Sequence, residues 1–269
     1  MEDASQRPSP RLPHPNPSPE GEGLFCPPRA AYTRPMDTPR PALAYHLTRG
    51  KGPPVVFLPG YASDMEGTKA LALEAWAVAS GRTFCRFDYS GCGASEGDFE
   101  EQTLTGWRDD AIEMLDLFSE PAILVGSSMG GWIALMIARD HPEKVAALVG
   151  IAAAADFTDW GFSMEEKMTL LQAGRIERAS PYSDQLTVFT SRFWQSGEAS
   201  RMTAAAIPIF CPVRLIHGLG DRDVPAERTM HLIQMIKSAD IQATLIKDGD
   251  HRLSRDGDIA LLIRTVESL

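Results

Sequence analysis

A serine stands between two glycines at Gly126-x-Ser128-x-Gly130, and two apolar runs flank it. The run before it, Ala122-Ile123-Leu124-Val125, is short and branched, as in a strand buried on both faces. The run after it, Trp132 to Ala138, is apolar all round and reads as a buried helix. Strand, tight turn and helix make a nucleophile elbow, with the serine oxygen exposed on the turn and room only for small neighbours. The free N–H groups at the helix N-terminus then face the point where an attacked carbonyl oxygen becomes negative. The alternative, a Gly/Ser turn without chemistry, leaves the paired strand and helix unexplained.

A serine alcohol attacks only when a base takes its proton, and a histidine base needs a carboxylate to hold its tautomer. With an elbow, the order along the chain is serine, acid, histidine. His141, in Asp140-His141-Pro142-Glu143, reads as part of a helix-ending turn. His217 precedes both candidate acids, and His231 falls inside a helix, on its surface face. His251 lies in the loop Asp248-Gly249-Asp250-His251, after a strand and before the last helix, where the carboxyl edge of a parallel sheet would deliver it to the elbow. The acid is sought in His217-Gly218-Leu219-Gly220-Asp221-Arg222-Asp223-Val224-Pro225. Asp223 adjoins the Val-Pro that opens a helix and reads as an N-cap, whereas Asp221 is freer to point to the site, so both stand as candidates with Asp221 favoured. Two backbone N–H groups must hold the oxyanion. Met129 follows the nucleophile and supplies one; Tyr61, after Pro59-Gly60, supplies the other.

The elements that must position these residues alternate. Strands are expected at 42–48, 54–58, 83–87, 122–125, 144–151, 213–217 and 242–246. Helices are expected from a Ser63-x-x-Glu66 capping box to about Ala79, over Thr105–Phe118, after the elbow, over Pro225–Lys237 and from Gly257. Repeated βαβ units imply an α/β fold, a mostly parallel sheet with helices on both faces. The alternation stops between Asp156 and Ile207. That stretch, rich in aromatics around Trp160-Gly161-Phe162, Pro181-Tyr182 and Phe189 to Trp194, reads as a small, mostly helical cap insertion. Its rings offer an apolar roof for an acyl chain, or else pack the insertion onto the body.

Residues 1–41 hold eleven of the twenty prolines. Proline removes backbone donors and fixes φ, so this segment is expected to be a disordered tail ahead of one domain at 42–269. Met36 offers an alternative natural start. The tail lacks a secretory h-region, and its acids do not suit a mitochondrial transit peptide. A net charge of -10 argues against nucleic-acid partners, and no apolar run is long enough for a transmembrane segment. The four cysteines form no C-x-x-C and no zinc spacing, which fits reduced thiols in a cytoplasmic protein without a metal. Cys92, in a glycine-rich loop, is a candidate reactive thiol. Gly91-Cys92-Gly93-Ala94-Ser95-Glu96-Gly97 fails the G-x-G-x-x-G spacing by one place, so no dinucleotide cofactor is expected.

The elbow, His217-Gly-x-x-Asp221-x-x-Val224-Pro225 and Asp250-His251 together resemble the α/β-hydrolase superfamily. Phe57-Leu58-Pro59-Gly60-Tyr61, Gly67 to Ala72, Arg86-Phe87-Asp88-Tyr89-Ser90-Gly91 and Arg214-Leu215-x-His217-Gly218 narrow the resemblance to its abhydrolase-domain-10 branch. That branch includes a mitochondrial palmitoyl-protein thioesterase that also hydrolyses acyl glucuronides. The resemblance covers about residues 42–269. It implies a cofactor-free serine hydrolase of acyl thioesters and esters, S-acylated proteins among its substrates, with Ser128, His251 and Asp221 as triad and Tyr61 and Met129 as oxyanion donors. It also admits the mitochondrial matrix as compartment. A carboxylesterase for small soluble esters is the alternative within enzymes, and a non-catalytic binding protein of the same fold is the alternative outside them.

Overall fold

The computed structural model describes residues 41–180 and 186–269. The tail at 1–40, with its expected disorder, and the Pro181-Tyr182 piece of the insertion lie outside the described residues.

Among the described residues there are nine strands: β1 (Tyr45–Thr48), β2 (Lys51–Leu58), β3 (Arg82–Phe87), β4 (Ala122–Ser127), β5 (Val145–Ile151), β6 (Arg175–Ala179), β7 (Leu186–Thr190), β8 (Val213–Gly218) and β9 (Ile241–Ile246). Seven of them form one sheet in the order β1-β3-β2-β4-β5-β8-β9. Only β1 pairs antiparallel; the other neighbours in this sheet are parallel.

The central strands alternate between two cores, as a pleated strand buried on both faces must. Val56 and Leu58 of β2 and Leu124 of β4 face one core, shared with Trp107 and Met114 of α2 (Leu104–Leu115) and with Trp132 and Ile133 of α3 (Met129–Asp140). Val55, Phe57, Ile123 and Val125 face the other, against Leu73 and Trp76 of α1 (Thr68–Ser80) and Leu262 and Val266 of α8 (Asp256–Glu267). The register pairs Leu58 with Gly126, Gly126 with Gly150 and Gly218 with Ile246. The parallel strands therefore finish level, and the loops beginning at Pro59, Ser128, Leu219 and Lys247 leave from one edge.

Two expectations need correction. The Ser63/Glu66 capping box does not start α1, whose N-cap is Gly67. Glu66 instead turns its carboxylate to the buried Arg86 at 2.5 Å, and Glu74 meets the same guanidinium at 2.9 Å. A buried guanidinium outcompetes a local cap, because leaving it unpaired costs several times what a cap contributes. The insertion is also less helical than its composition suggests. Alongside α4 (Phe157–Trp160), α5 (Met164–Ala173) and α6 (Ser191–Ala199) it holds an antiparallel pair, β6 with β7. The alternation Arg175-Ile176-Glu177-Arg178-Ala179 carries that signal; Ile176 and Arg178 are half-buried while their neighbours are exposed.

Asp156 closes the insertion at its base. Its backbone is left-handed (φ 55). Its buried carboxylate accepts hydrogen bonds from the Met202 and Thr203 N–H groups and from the Thr203 hydroxyl at 2.6–3.1 Å. The strand leaving the body and the chain returning to it are thereby tied at one carboxylate. His231, on α7 (Ala226–Met235), is not a free surface group: its Nε2–H donates to the Thr203 carbonyl at 3.0 Å.

Candidate active site

The elbow follows from two glycines and one strained residue. A Cβ on Gly130 would sit 2.1 Å from the Leu58 carbonyl oxygen, and one on Gly126 would sit 2.4 Å from that of Gly130. Strand β2, β4 and helix α3 therefore close on each other only where side chains are missing. Ser128 adopts φ 54, ψ −119, a left-handed conformation costing a non-glycine residue about 1–3 kcal/mol. Hydrogen bonds hold it there. Its N–H donates to the Ile151 carbonyl at 2.8 Å, and its carbonyl accepts from Gly131 at 2.9 Å and Ala154 at 3.0 Å. Gly130→Ala is expected to destabilise the fold by about 3 kcal/mol or more, because backbone is the obstacle and cannot rotate aside. Thermal denaturation checks this; a melting temperature like that of the wild type would contradict the packing described.

His251 and Asp221 meet Ser128 from the loops after β9 and β8. The Ser128 hydroxyl lies 3.1 Å from His251 Nε2, and His251 Nδ1–H donates to Asp221 Oδ2 at 2.8 Å. The other carboxylate oxygen, Oδ1, accepts from the N–H groups of Asp223 and Val224, both at 2.9 Å. The Asp221 side chain is fully buried. Burial alone would raise its pKa. Hydrogen bonds from His217 and His251, the charge His251 can carry and the Val224 N–H outweigh that, holding the carboxyl far below its usual range. Asp221 therefore stays ionised at every pH near neutrality, opposite the imidazole. Asp223 is exposed, and the N-cap of α7 is Pro225 rather than Asp223. The separation of the two aspartates rests on a turn in which Asp221, not Asp223, folds back over the following N–H groups.

His217 was excluded as a base by its order in the chain, and the structure gives it another place. It is fully buried behind Asp221, with Nε2 3.4 Å from the carboxylate and 2.9 Å from the Val224 carbonyl. A carbonyl only accepts, so Nε2 carries the proton and Nδ1 accepts from the Thr229 hydroxyl at 2.7 Å. The Asp221 carboxylate is thus held from both sides. Its four-residue spacing from Asp221 was the available signal, but spacing across a loop does not show that a histidine turns back. His141 ends α3 as a C-cap, in keeping with a turn.

Tyr61 and Met129, expected from sequence as oxyanion donors, stand beside Ser128. A Cβ on Gly60 would lie 3.4 Å from Ser128 Cβ, so the Gly60–Tyr61 peptide borders Ser128, as Met129 does from the other side. The Tyr61 and Met129 N–H groups form no hydrogen bond with the described residues. What the sequence does not disclose is the Tyr61 side chain. Its hydroxyl donates to the Val188 carbonyl of β7 at 2.6 Å. Its ring stacks on Phe189 (centroids 4.6 Å apart, planes at 12°) and meets Phe193 at 4.7 Å and Trp107 at 5.6 Å. Burial drives its phenol pKa far up, so it remains a donor. Among the rings expected to form a roof, Phe162, Phe189 and Phe193 are buried; Phe162 packs on Phe189, and Phe189 and Phe193 pack on Tyr61, fastening the insertion to the body. Trp160 and Trp194 donate their indole N–H groups to the Ala155 and Thr158 carbonyls and are half-buried.

Cys92 is not a reactive thiol. It is buried, and burial with the nearby Asp88, Asp110 and Asp64 pushes its pKa up to about 12. The loop around it turns about Asp88, whose carboxylate accepts from the Met65 and Ala94 N–H groups at 2.7 and 2.8 Å. Gly91 N–H donates within the loop to the Glu96 carbonyl. These donors face inward. Asp221, Asp223 and His251 bring potential metal-ligand atoms within 4.8 Å of one another. The carboxylate of Asp221 and both nitrogens of His251 are engaged in the hydrogen bonds above, which suit a proton relay. Among the described residues, no helix is long and apolar enough to cross a membrane.

Known proteins resemble this chain in sequence and fold. The family model described as serine aminopeptidase, S33, matches residues 53–192. The human mitochondrial palmitoyl-protein thioesterase ABHD10 is 41% identical over 235 residues, covering 85% of this chain and 76% of the human protein. The solved structure of mouse α/β-hydrolase domain-containing protein 10 superposes with a TM-score of 0.80 at 39% identity, over 88% of this chain and 96% of that one. A solved structure from Agrobacterium vitis S4 gives 0.81 at 38% identity, over 88% and 95%. The fold, the elbow and this degree of identity lead to one conclusion: the chain belongs to the α/β-hydrolase superfamily, in the serine hydrolase family that includes ABHD10.

Proposed function

We propose that the chain hydrolyses acyl thioesters and activated acyl esters through an acyl-enzyme on Ser128. The observation that carries this is the continuous chain of hydrogen bonds from Ser128 through His251 to Asp221. His251 takes the serine proton as the oxygen attacks the acyl carbon. The Tyr61 and Met129 N–H groups receive the oxyanion, and Asp221 stabilises the imidazolium. The imidazolium protonates the leaving group, and a water activated by the same ring then releases the acid.

The leaving group separates the substrate classes. A thiolate, with a parent pKa of about 8.5, departs with little help, whereas an amine must be protonated as it leaves. The name of the matching family model includes aminopeptidase, but an amine would have to take its proton from the His251 imidazolium in good alignment, a demand that a thiolate does not make. The ABHD10 relatives are named palmitoyl-protein thioesterases, which supports a long acyl chain and an S-acylated protein as substrate. We place the chain's path along the junction of the insertion with Tyr61, where parting the rings of Phe189 and Phe193 would expose apolar surface. Each buried methylene would contribute about 0.8 kcal/mol. For the compartment, the ABHD10 relatives are named as mitochondrial, and Cys85, Cys92 and Cys211 are free thiols, which supports a reducing compartment. Either the cytoplasm or the matrix satisfies that.

The test is kcat/KM for acyl thioesters and matched oxygen esters and amides, from two to sixteen carbons. The reading expects values that rise with chain length and thioesters well above amides. A steady decline beyond four carbons would replace it with the small-ester carboxylesterase.

A further inference from the structure

The loop that carries His251 is fastened on both sides of the imidazole. Upstream, Gly220 N–H donates to the Gly249 carbonyl at 2.9 Å, and Arg255 Nη1 donates to the Asp248 carbonyl at 3.0 Å. Downstream, Asp250 Oδ1 accepts from the Leu253 N–H at 2.9 Å, and Leu253 turns left-handed (φ 44) into the core shared by α1 and α8. That turn faces the carbonyl of Arg252, the residue next to His251, towards two side chains. Ser254 Oγ donates to it at 3.0 Å, and Lys69 Nζ donates to it at 2.5 Å.

Lys69 is the second residue of α1, 183 positions away in sequence. A cation in the first turn opposes the helix macrodipole, so helix stability would favour an acid there. Its side chain is instead accounted for by its partner. Helix α1 is itself a firm platform, because it packs on α8 and Trp76 Nε1–H donates to Glu267 at 2.9 Å.

We propose that Lys69 is a positioning residue for the catalytic base: by holding the Arg252 carbonyl, it fixes His251 between Ser128 and Asp221. The inference rests on the reading of His251 as the base. Sub-ångström placement of a base governs turnover more than substrate affinity, so the effect belongs in kcat. The charged groups facing the ammonium are Arg252 and Asp250 from the loop and Asp258 from α8. Burial, then Arg252, lowers the Lys69 pKa to about 8, while the two aspartates oppose the shift. Below that pH the ammonium makes a charge-assisted bond to the carbonyl; above it, a neutral amine makes a weaker one. Activity therefore carries an alkaline limb that begins near pH 8.

The test compares Lys69→Met, Lys69→Arg and Ser254→Ala on a water-soluble acyl thioester, with kcat and KM followed from about pH 6 to pH 10. Lys69→Met is expected to lower kcat about ten-fold at neutral pH with KM within about two-fold, and to abolish the alkaline limb. Lys69→Arg, whose guanidinium stays charged, is expected to recover most of kcat and to carry it flat through pH 9. Ser254→Ala removes the uncharged donor and is expected to keep the limb. A wild-type kcat and limb in Lys69→Met would overturn the proposal, as would a loss that Lys69→Arg does not recover. Ser128→Ala is assayed alongside: turnover surviving there would remove the function itself, whatever Lys69 does.

Discussion

Ser128→Ala is expected to lower kcat by about 10⁴-fold or more while the melting temperature stays within a few degrees of wild type. The size follows from how the three side chains act. His251 has no proton to take without the serine hydroxyl, and Asp221 then supports a charge that never forms. The fold is spared because the elbow is held by backbone, through Ser128 N–H on Ile151 and the Ser128 carbonyl on Gly131 and Ala154. Alanine keeps all of these and tolerates the strained φ no worse than serine. Residual activity would come from the Tyr61 and Met129 N–H groups alone. Turnover within ten-fold of wild type by a folded variant would remove Ser128 as nucleophile.

Asp221→Asn is expected to cost about 10⁴-fold in kcat, and Asp223→Asn less than about two-fold. An amide at 221 cannot balance an imidazolium, and an amide nitrogen turned to His251 would hold the wrong tautomer. It would also leave His217, fully buried 3.4 Å behind, facing a group without charge. Asp223 contributes its backbone N–H to Asp221 Oδ1, and Asp223→Asn leaves that bond intact. Steady-state kinetics of the two variants at one pH decide the matter. Equal losses, or a larger loss at Asp223, would reverse the assignment of the acid.

The meeting of Ser128, His251 and Asp221 was legible in the sequence because each of them answers to a local rule. Gly126 and Gly130 signal backbone contact, and β4 and α3 on either side signal the elbow. Asp221 and His251 follow strand ends in the required order. The sheet is legible for the same reason: β2, β4, β5 and β8 are short, branched and bounded by turn residues. What stays hidden depends on contacts between distant residues. Glu66 was claimed by Arg86 rather than by a helix end, and no pattern within 63–66 records a guanidinium twenty residues on. The β6–β7 pair was masked by its aromatic, charged composition, which suits helix and strand alike. The ring of Tyr61, the turn-back of His217 and the reach of Lys69 to Arg252 each span a fold contact that spacing along the chain does not encode.

The central claim is that an acyl group passes through Ser128, and trapping that intermediate tests it most directly. The protein is mixed with a long-chain acyl thioester, quenched in acid within the first turnovers, and digested for mass mapping. The account predicts the acyl mass on the peptide carrying Ser128 and nowhere else, and its absence from Ser128→Ala. An acyl group found on a cysteine or lysine that turns over at the rate of catalysis, with Ser128 unmodified, would contradict it.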